Sequence, residues 1–442
     1  MSGVVSKMAD MGLMEERHFQ GTLSHGANAV AVAFTARVDC SGTLVIGFDD
    51  VPSTPESRFL INLMGVHTEK VTYLILEGEA TDGTKFHSEH LLLTTIGHKG
   101  GEDGYCFPIK GRCSKAVLER QIDQPADRPT VVFWLRGTPD HSDWHGPLQA
   151  ISAFGEIAMS AVDPAAVQNP LTHILTIKAP ATETAADVWR PNAETFLHHV
   201  RWYMSFAMGV TMEAPVWEFR VDKTITVTVF SRIPDRGTQM AAFRWHEQGQ
   251  FLKVAAQSYP VGENLVAALS WFLLSAVYTA QHLIHAMTAL ENLVDVGLTD
   301  EEKRALTPAE AGSFIKVFRK LVKDTFGGKA LSQTRDQLYK RSGEFERRTF
   351  ICKLTVLLEK LGVPYHDIGQ ARIKLAIEAR NAVVHAGVYE DEDEDKADLW
   401  DHAMVIRELV IRIVFRSVGY EGHYTTHLGG WSDAVFPPPR SP

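Results

Sequence analysis

Arg380, Asn381 and His385 put a permanent cation, an amide and an imidazole into one short segment, Arg380-Asn381-Ala382-Val383-Val384-His385. The segment lies late in a helical pattern that begins near Asp367. A helix turns ~100° per residue, so the three share a sector ~140° wide, with Asn381 between the other two. A guanidinium neutralises a crowded phosphate, and an imidazole takes or gives a proton near neutrality. Together these are tools for cleaving RNA without a metal. The same residues also admit a structural reading, in which the His ends a helix and the Arg pairs with Glu378 or with the acidic run that follows.

Several elements must hold these residues in place. Gly387 is the expected C-cap of their helix. Upstream, residues 264–290 contain no Asp, Glu, Lys or Arg, and the stretch reads as one long buried helix with a second protomer as its natural partner. Its length raises the question of a membrane span. Ser270, Ser275, Thr279, Gln281, His282 and His285 interrupt it, and no basic cluster flanks it, so a bundle helix is expected instead. Thr307-Pro308-Ala309-Glu310 places an N-cap, a first-turn proline and a capping-box acid in order. Further helices are expected over 344–361, closed by Gly362 and Pro364, over 367–385, and over 397–418.

This arrangement resembles the HEPN superfamily, whose ribonucleases carry an Arg, usually followed by a polar residue, and a His a few positions on. Arg380, Asn381 and His385 match that motif at the short end of its spacing. Ala289-Leu290-Glu291-Asn292-Leu293 is similar to the first-helix signature of ApeA-type HEPN proteins of anti-phage abortive-infection systems. The resemblance covers about 262–420 and implies a toxic, metal-independent endoribonuclease without a cofactor. It implies a composite site in a homodimer or higher homo-oligomer. There His385 would act as general base or acid, Arg380 would stabilise the transition state, and Asn381 would orient the His or bind a phosphate oxygen. A ribose 2′-hydroxyl would attack the adjacent phosphate. RNA is then the substrate, and a phage-derived protein is a candidate trigger. Glu291 is read as a support that holds Arg380 across the bundle, or else as a solvated acid. HEPN proteins without nuclease activity also exist, so the alternative function is a non-catalytic scaffold with a ligand-binding β domain.

The first half reads differently. Short β-prone runs recur at 43–48, 71–76, 85–95, 130–135, 154–162, 172–178, 216–221, 224–230 and 243–254, with turns at Asp82-Gly83 and Gln248-Gly249. One helix near 191–209 interrupts them, with Pro191 in its first turn. The expected fold class is α+β, with a β-rich, sandwich-like sensing domain over 1–255, an all-α HEPN bundle over 262–420 and a C-terminal tail over 421–442.

Composition sets bounds. The chain has 442 residues, 45% hydrophobic, with 44 basic and 54 acidic residues and a net charge of −10. Length predicts more than one domain, and the charge argues against general coating of nucleic acid or of an anionic membrane. Local patches differ: 316–348 holds ten Lys or Arg against four acids, suited to guiding a phosphate backbone or simply to a solvated surface. Six acids at 390–395 follow His385 closely and read as a solvated loop or as an electrostatic gate. Four cysteines form no disulfide framework, and 1–13 lacks the basic flank of a leader, so a cytoplasmic setting is expected. His87, His90, Cys106, Cys113, His141 and His145 invite a zinc reading, but no CxxC pair exists and no metal is assigned. Phosphate-loop, nucleophile-elbow and HExxH motifs are absent.

Overall fold

The structure is a computed structural model. It describes residues 16–38, 43–52, 54–63, 72–96, 99–101, 104–137, 147–162, 171–183, 185–230, 240–260, 265–328, 331–387, 389 and 398–439. The chain divides into two compact units, Met1–Tyr259 and Pro260–Pro442. The first is β-rich and the second mainly helical.

Fourteen strands of the first unit form one continuous antiparallel sheet. Six of them close on themselves: β1 (Arg17–His25), β2 (Asn28–Val38), β3 (Leu44–Pro52), β4 (Leu74–Ala80), β5 (Lys85–Ile96) and β7 (Gly104–Cys113), with β6 (Lys99–Gly101) at the rim. Closure occurs because β5 is long. One edge of β5 pairs with β4, while the other pairs first with β8 (Lys115–Gln121) and then with β7. The sandwich-like expectation is thus corrected to a six-stranded ring continuing into an open sheet. Alternating apolar residues look the same in both arrangements; non-local pairing along β5 decides between them. Phe19 stacks on Phe34 at 5.0 Å inside the ring, with Phe86 and Phe48 against them. Gly21 and Gly78 pair across β1 and β4, and a Cβ on Gly78 would lie 2.7 Å from the Phe34 ring. A side chain there would push the core aromatic aside.

From β8 the sheet runs on through β14 (Thr224–Phe230), β13 (Glu213–Val221), β9 (Thr130–Arg136), β12 (Leu171–Lys178), β11 (Gly155–Ala161) and β10 (Leu148–Ser152). α1 (Pro55–Asn62) packs on β2, and α2 (Ala186–Met208) on β9 and β12. Pro191 lies inside α2 rather than in its first turn, because the helix starts earlier. Trp189 is buried and donates to the Phe154 carbonyl at 2.9 Å, which draws the preceding turn into the helix. A second correction concerns 243–254, expected as a hairpin. It is α3 (Trp245–Gln257). Phe251, Leu252, Ala255 and Ala256 are buried at helical spacing, and Glu247 closes the N-terminus by accepting from Arg244 N–H.

The second unit is built around α10 (Leu399–Val418), which is buried along almost its whole length. The uncharged stretch forms two helices rather than one, α4 (Val266–Phe272) and α5 (Thr279–Gly297). Gln281 Oε1 accepts from the backbone N–H groups of Val277 and Tyr278 and so starts a new helix there. Val277 is 81% exposed and Tyr278 68%. α6 (Pro308–Thr325) begins with the expected capping box. α7 (Ser332–Arg341) runs into a 3-10 turn, Ser342–Glu346. The helix expected from 344 starts only at α8 (Phe350–Leu361), where Thr349 accepts from Cys352 N–H and so supplies the N-cap. α9 (Gln370–Ala386) follows. The tail expectation for 421–442 is also corrected. β15 (Gly422–Thr426) and β16 (Ser432–Phe436) form a hairpin whose Tyr424 and Phe436 rings meet Phe415 of α10. No helix among the described residues is long and apolar enough to cross a membrane.

Candidate active site

α9 buries Ile373, Ala376 and Ala379 and leaves Lys374, Leu375, Glu378, Asn381, Val384 and His385 exposed. Arg380 falls at the border of the two faces. Its backbone belongs to the packed side, yet its long side chain reaches the surface. That position explains its partners. Arg380 Nη2 donates to Glu291 Oε1 of α5 at 2.8 Å, and Nη1 donates to Asn381 Oδ1 at 3.1 Å. The side chains of Arg380 and Glu291 are 23% and 37% exposed, so the pair is partly shielded but reachable. The supporting role read for Glu291 in the sequence has its ion pair, and the pairing of Arg380 with Glu378 is not formed; Glu378 lies 3.7 Å from Lys374 instead.

Asn381 spends its carbonyl oxygen on Arg380. Its amide N–H groups therefore face outward as donors, beside the remaining guanidinium N–H groups. Of the two tasks expected of Asn381, holding a phosphate oxygen is the one this geometry serves. His385 sits one turn on, exposed, in the last turn of α9, with Gly387 as a left-handed cap at φ 76°. Within this chain, Arg380, Asn381 and Glu291 form a contiguous hydrogen-bonded set, while His385 is tied to none of them by a hydrogen bond or ion pair among the described residues. Sequence spacing missed Val384, which lies between Arg380 and His385 on the same sector and is 48% exposed.

Beside α5 and α10 lies a buried polar group that the motif did not signal. His282 packs edge-on against Trp400 at 5.4 Å. Burial, then the charges of Arg407 and His285, push its pKa below the ordinary imidazole value. Arg407 is itself buried over the Phe272 ring at 4.0 Å. Tyr389 Oη and His402 Nε2 are 2.8 Å apart, a contact that fixes the chain after α9 to the start of α10.

The other motifs fall in separate places. His87 pairs with Glu77 at 3.0 Å, and Cys113 is a buried thiol whose pKa burial raises to about 11. His141 and His145 lie outside the described residues, as does the acidic run 390–395. No group of three His, Cys, Asp or Glu able to hold a metal occurs among the described residues. Within 316–348, Lys316, Arg319, Lys320 and Lys323 are exposed along α6. Comparison of the chain with family models, with characterised proteins and with solved structures finds no match.

Proposed function

We propose that the chain is a metal-independent endoribonuclease of HEPN type, acting as the toxic effector of an anti-phage abortive-infection response. The observation that carries the reading is the Glu291–Arg380–Asn381 set across α5 and α9, with His385 exposed on the same helix end. Glu291 fixes the guanidinium, which leaves its outer N–H groups and the Asn381 amide as a preorganised cradle for a phosphate. His385 takes the proton of a ribose 2′-hydroxyl as that oxygen attacks the adjacent phosphorus. The 5′-oxygen leaves with a proton given by the His385 of a second copy acting as general acid, and the products are a 2′,3′-cyclic phosphate and a 5′-hydroxyl. Arg380 carries the charge of the crowded phosphorane, a task a divalent metal performs elsewhere.

A single copy presents one such cradle on an open surface, with exposed Val384 beside it on the same sector of α9. A second copy of the chain would supply the facing wall, bring a second motif opposite the first and exclude water from the phosphate. The β-rich unit is then the restraint and sensor. Purified protein mixed with total RNA should yield fragments with cyclic phosphate and 5′-hydroxyl ends. The His385→Ala variant should yield none. Intact RNA with the unaltered protein, under conditions where it is dimeric, would favour a binding or scaffold role instead.

A further inference from the structure

The β-rich unit carries a cleft that the catalytic reading does not use. α2 covers the β9 and β12 part of the sheet face, and the strands beyond it, β14 and β8, keep half-exposed side chains on that face. The cleft between the start of α2 and these strands has a volume of about 310 Å³ and is lined by Lys115, Arg190, Trp217, Thr226, Thr228 and Phe230, among others. That is the scale of a small organic ligand.

Each wall has a defined chemistry. Trp217 and Phe230 meet at an interplanar angle of 49° with ring centroids 4.5 Å apart, which makes an aromatic corner. The indole is fixed from behind, stacked on buried Phe133 at 4.7 Å, and its N–H is spent on the Ala214 carbonyl at 2.8 Å. What it offers a ligand is therefore an apolar surface. Strand register sets Thr228 beside both Trp217 and Val117, and Phe230 beside Lys115. Thr228 is 7% exposed overall, and it contributes a hydroxyl-bearing side chain to the cleft wall. A hydroxyl in that place can give or accept a hydrogen bond with a bound sugar. Arg190 is a cation held ready. Its Nε donates to Glu194 Oε1 at 2.7 Å, and its guanidinium carbon sits 4.6 Å over the Phe219 ring. Its two terminal nitrogens have no protein acceptor among the described residues. Lys115 brings a second positive charge 5.9 Å from the Phe230 ring centre.

From these features we infer that the cleft is a binding site for a nucleoside monophosphate. The base packs into the Trp217–Phe230 corner, the phosphate is taken by the Arg190 fork and the Lys115 ammonium, and the ribose meets Thr226 and Thr228. Aromatic walls favour a ring, and two cations facing one partly spent carboxylate favour an anion. Such a site stands whether or not Arg380 and His385 cut RNA.

Calorimetric titration of the full chain with the common 5′-mononucleotides tests it, with the matching nucleosides and ribose 5-phosphate as controls. At least one mononucleotide should bind, and both controls should bind about tenfold or more weakly, since each lacks one of the two anchors. Arg190→Gln and Thr228→Val, the latter nearly isosteric, should each weaken the nucleotide by about tenfold with thermal unfolding unchanged. Glu194→Gln should tighten it, because a negative charge beside the phosphate is removed. Binding by no mononucleotide overturns the site, as does binding that Arg190→Gln and Thr228→Val leave intact. Ribose 5-phosphate binding as tightly as the nucleotides would overturn the stacking of a base.

Discussion

At the scale of single residues, the proposed chemistry rests on how Arg380 is shared. Its charge is partly answered by Glu291, so the cradle is held without being fully neutralised. Replacing His385 by Ala removes a proton-transfer group from an exposed helix end. Cleavage should fall by about 10²–10⁴-fold while stability changes by no more than about 0.5 kcal/mol. Arg380→Ala should be as severe for cleavage but also leave Glu291 without its partner. Arg380→Lys should not restore the rate, because an ammonium cannot bridge Glu291 and Asn381 as a fork does. Initial rates on a short RNA, with and without EDTA, check all three. Chelation that abolishes the rate, with Mg²⁺ restoring it, would sink the mechanism. An Arg and a His share a helix face in many chains, so the helical context rather than the spacing pointed to Arg380, Asn381 and His385; the Arg380–Glu291 ion pair is one of the two readings the sequence left open for Glu291. The division of Asn381 between Arg380 and solvent was not legible, since it depends on which side of α9 packs. Val384 was passed over as an ordinary apolar position for the same reason.

At the scale of elements, α10 organises the second unit through polar contacts that no hydrophobic pattern reveals. Arg412 is buried, donates to both Asp367 oxygens at 2.6 and 2.7 Å and gives its Nε to Glu408 at 2.8 Å. Glu408, also buried, accepts from Tyr424 and Thr426 of the C-terminal hairpin. One network thus ties the approach to α9, the central helix and the hairpin together. Arg412→Met should cost about 3–5 kcal/mol in urea unfolding, because it leaves Glu408 buried without its cation. Deleting the hairpin should be similarly damaging, which a loose tail would not be.

His282 gives α5 a pH dependence with a definite sign. Its folded-state pKa lies below the ordinary value of 6.5, so the unfolded chain binds the proton more readily between the two values. Stability should therefore fall as pH drops below 6.5 and continue to fall down through the folded-state pKa. His282→Phe should flatten that slope when unfolding is compared at about pH 5.5 and about pH 7.5. An unchanged slope would place the titration elsewhere. Capping boxes and glycine stops were readable in this unit because they are local. The break after α4 was not, because Gln281 starts α5 with a side chain that looks neutral in a sequence. α3 was misread as strands because Gly249, which normally weakens a helix, is accepted where Leu148 of β10 comes within 3.3 Å of its would-be Cβ.

At the scale of the whole chain, the β-rich character of one unit and the helical character of the other follow from periodicity. Ring closure through β5 does not, because it depends on which distant strands share an edge. Assembly is likewise beyond periodicity, but the surface of the second unit makes it testable. The bend between α4 and α5 shows Trp271, Leu274, Val277 and Tyr278 to solvent, four apolar side chains in eight residues. A cluster of that kind is unfavourable in water unless it is covered, and a second copy of the chain is the cover that the proposed composite site would need. Light scattering should then give a dimer or larger species at micromolar concentration. Val277→Glu with Tyr278→Ser should shift it to monomer, since a carboxylate at a symmetric contact meets its own copy and costs several kcal/mol if buried there. RNA cleavage should fall with the dimer fraction, while far-UV circular dichroism stays unchanged. The specific rate of the unaltered protein should also drop on dilution, as a shared site demands. A monomeric protein that cuts RNA at full rate would place the whole reaction on one α9 surface and remove the composite site.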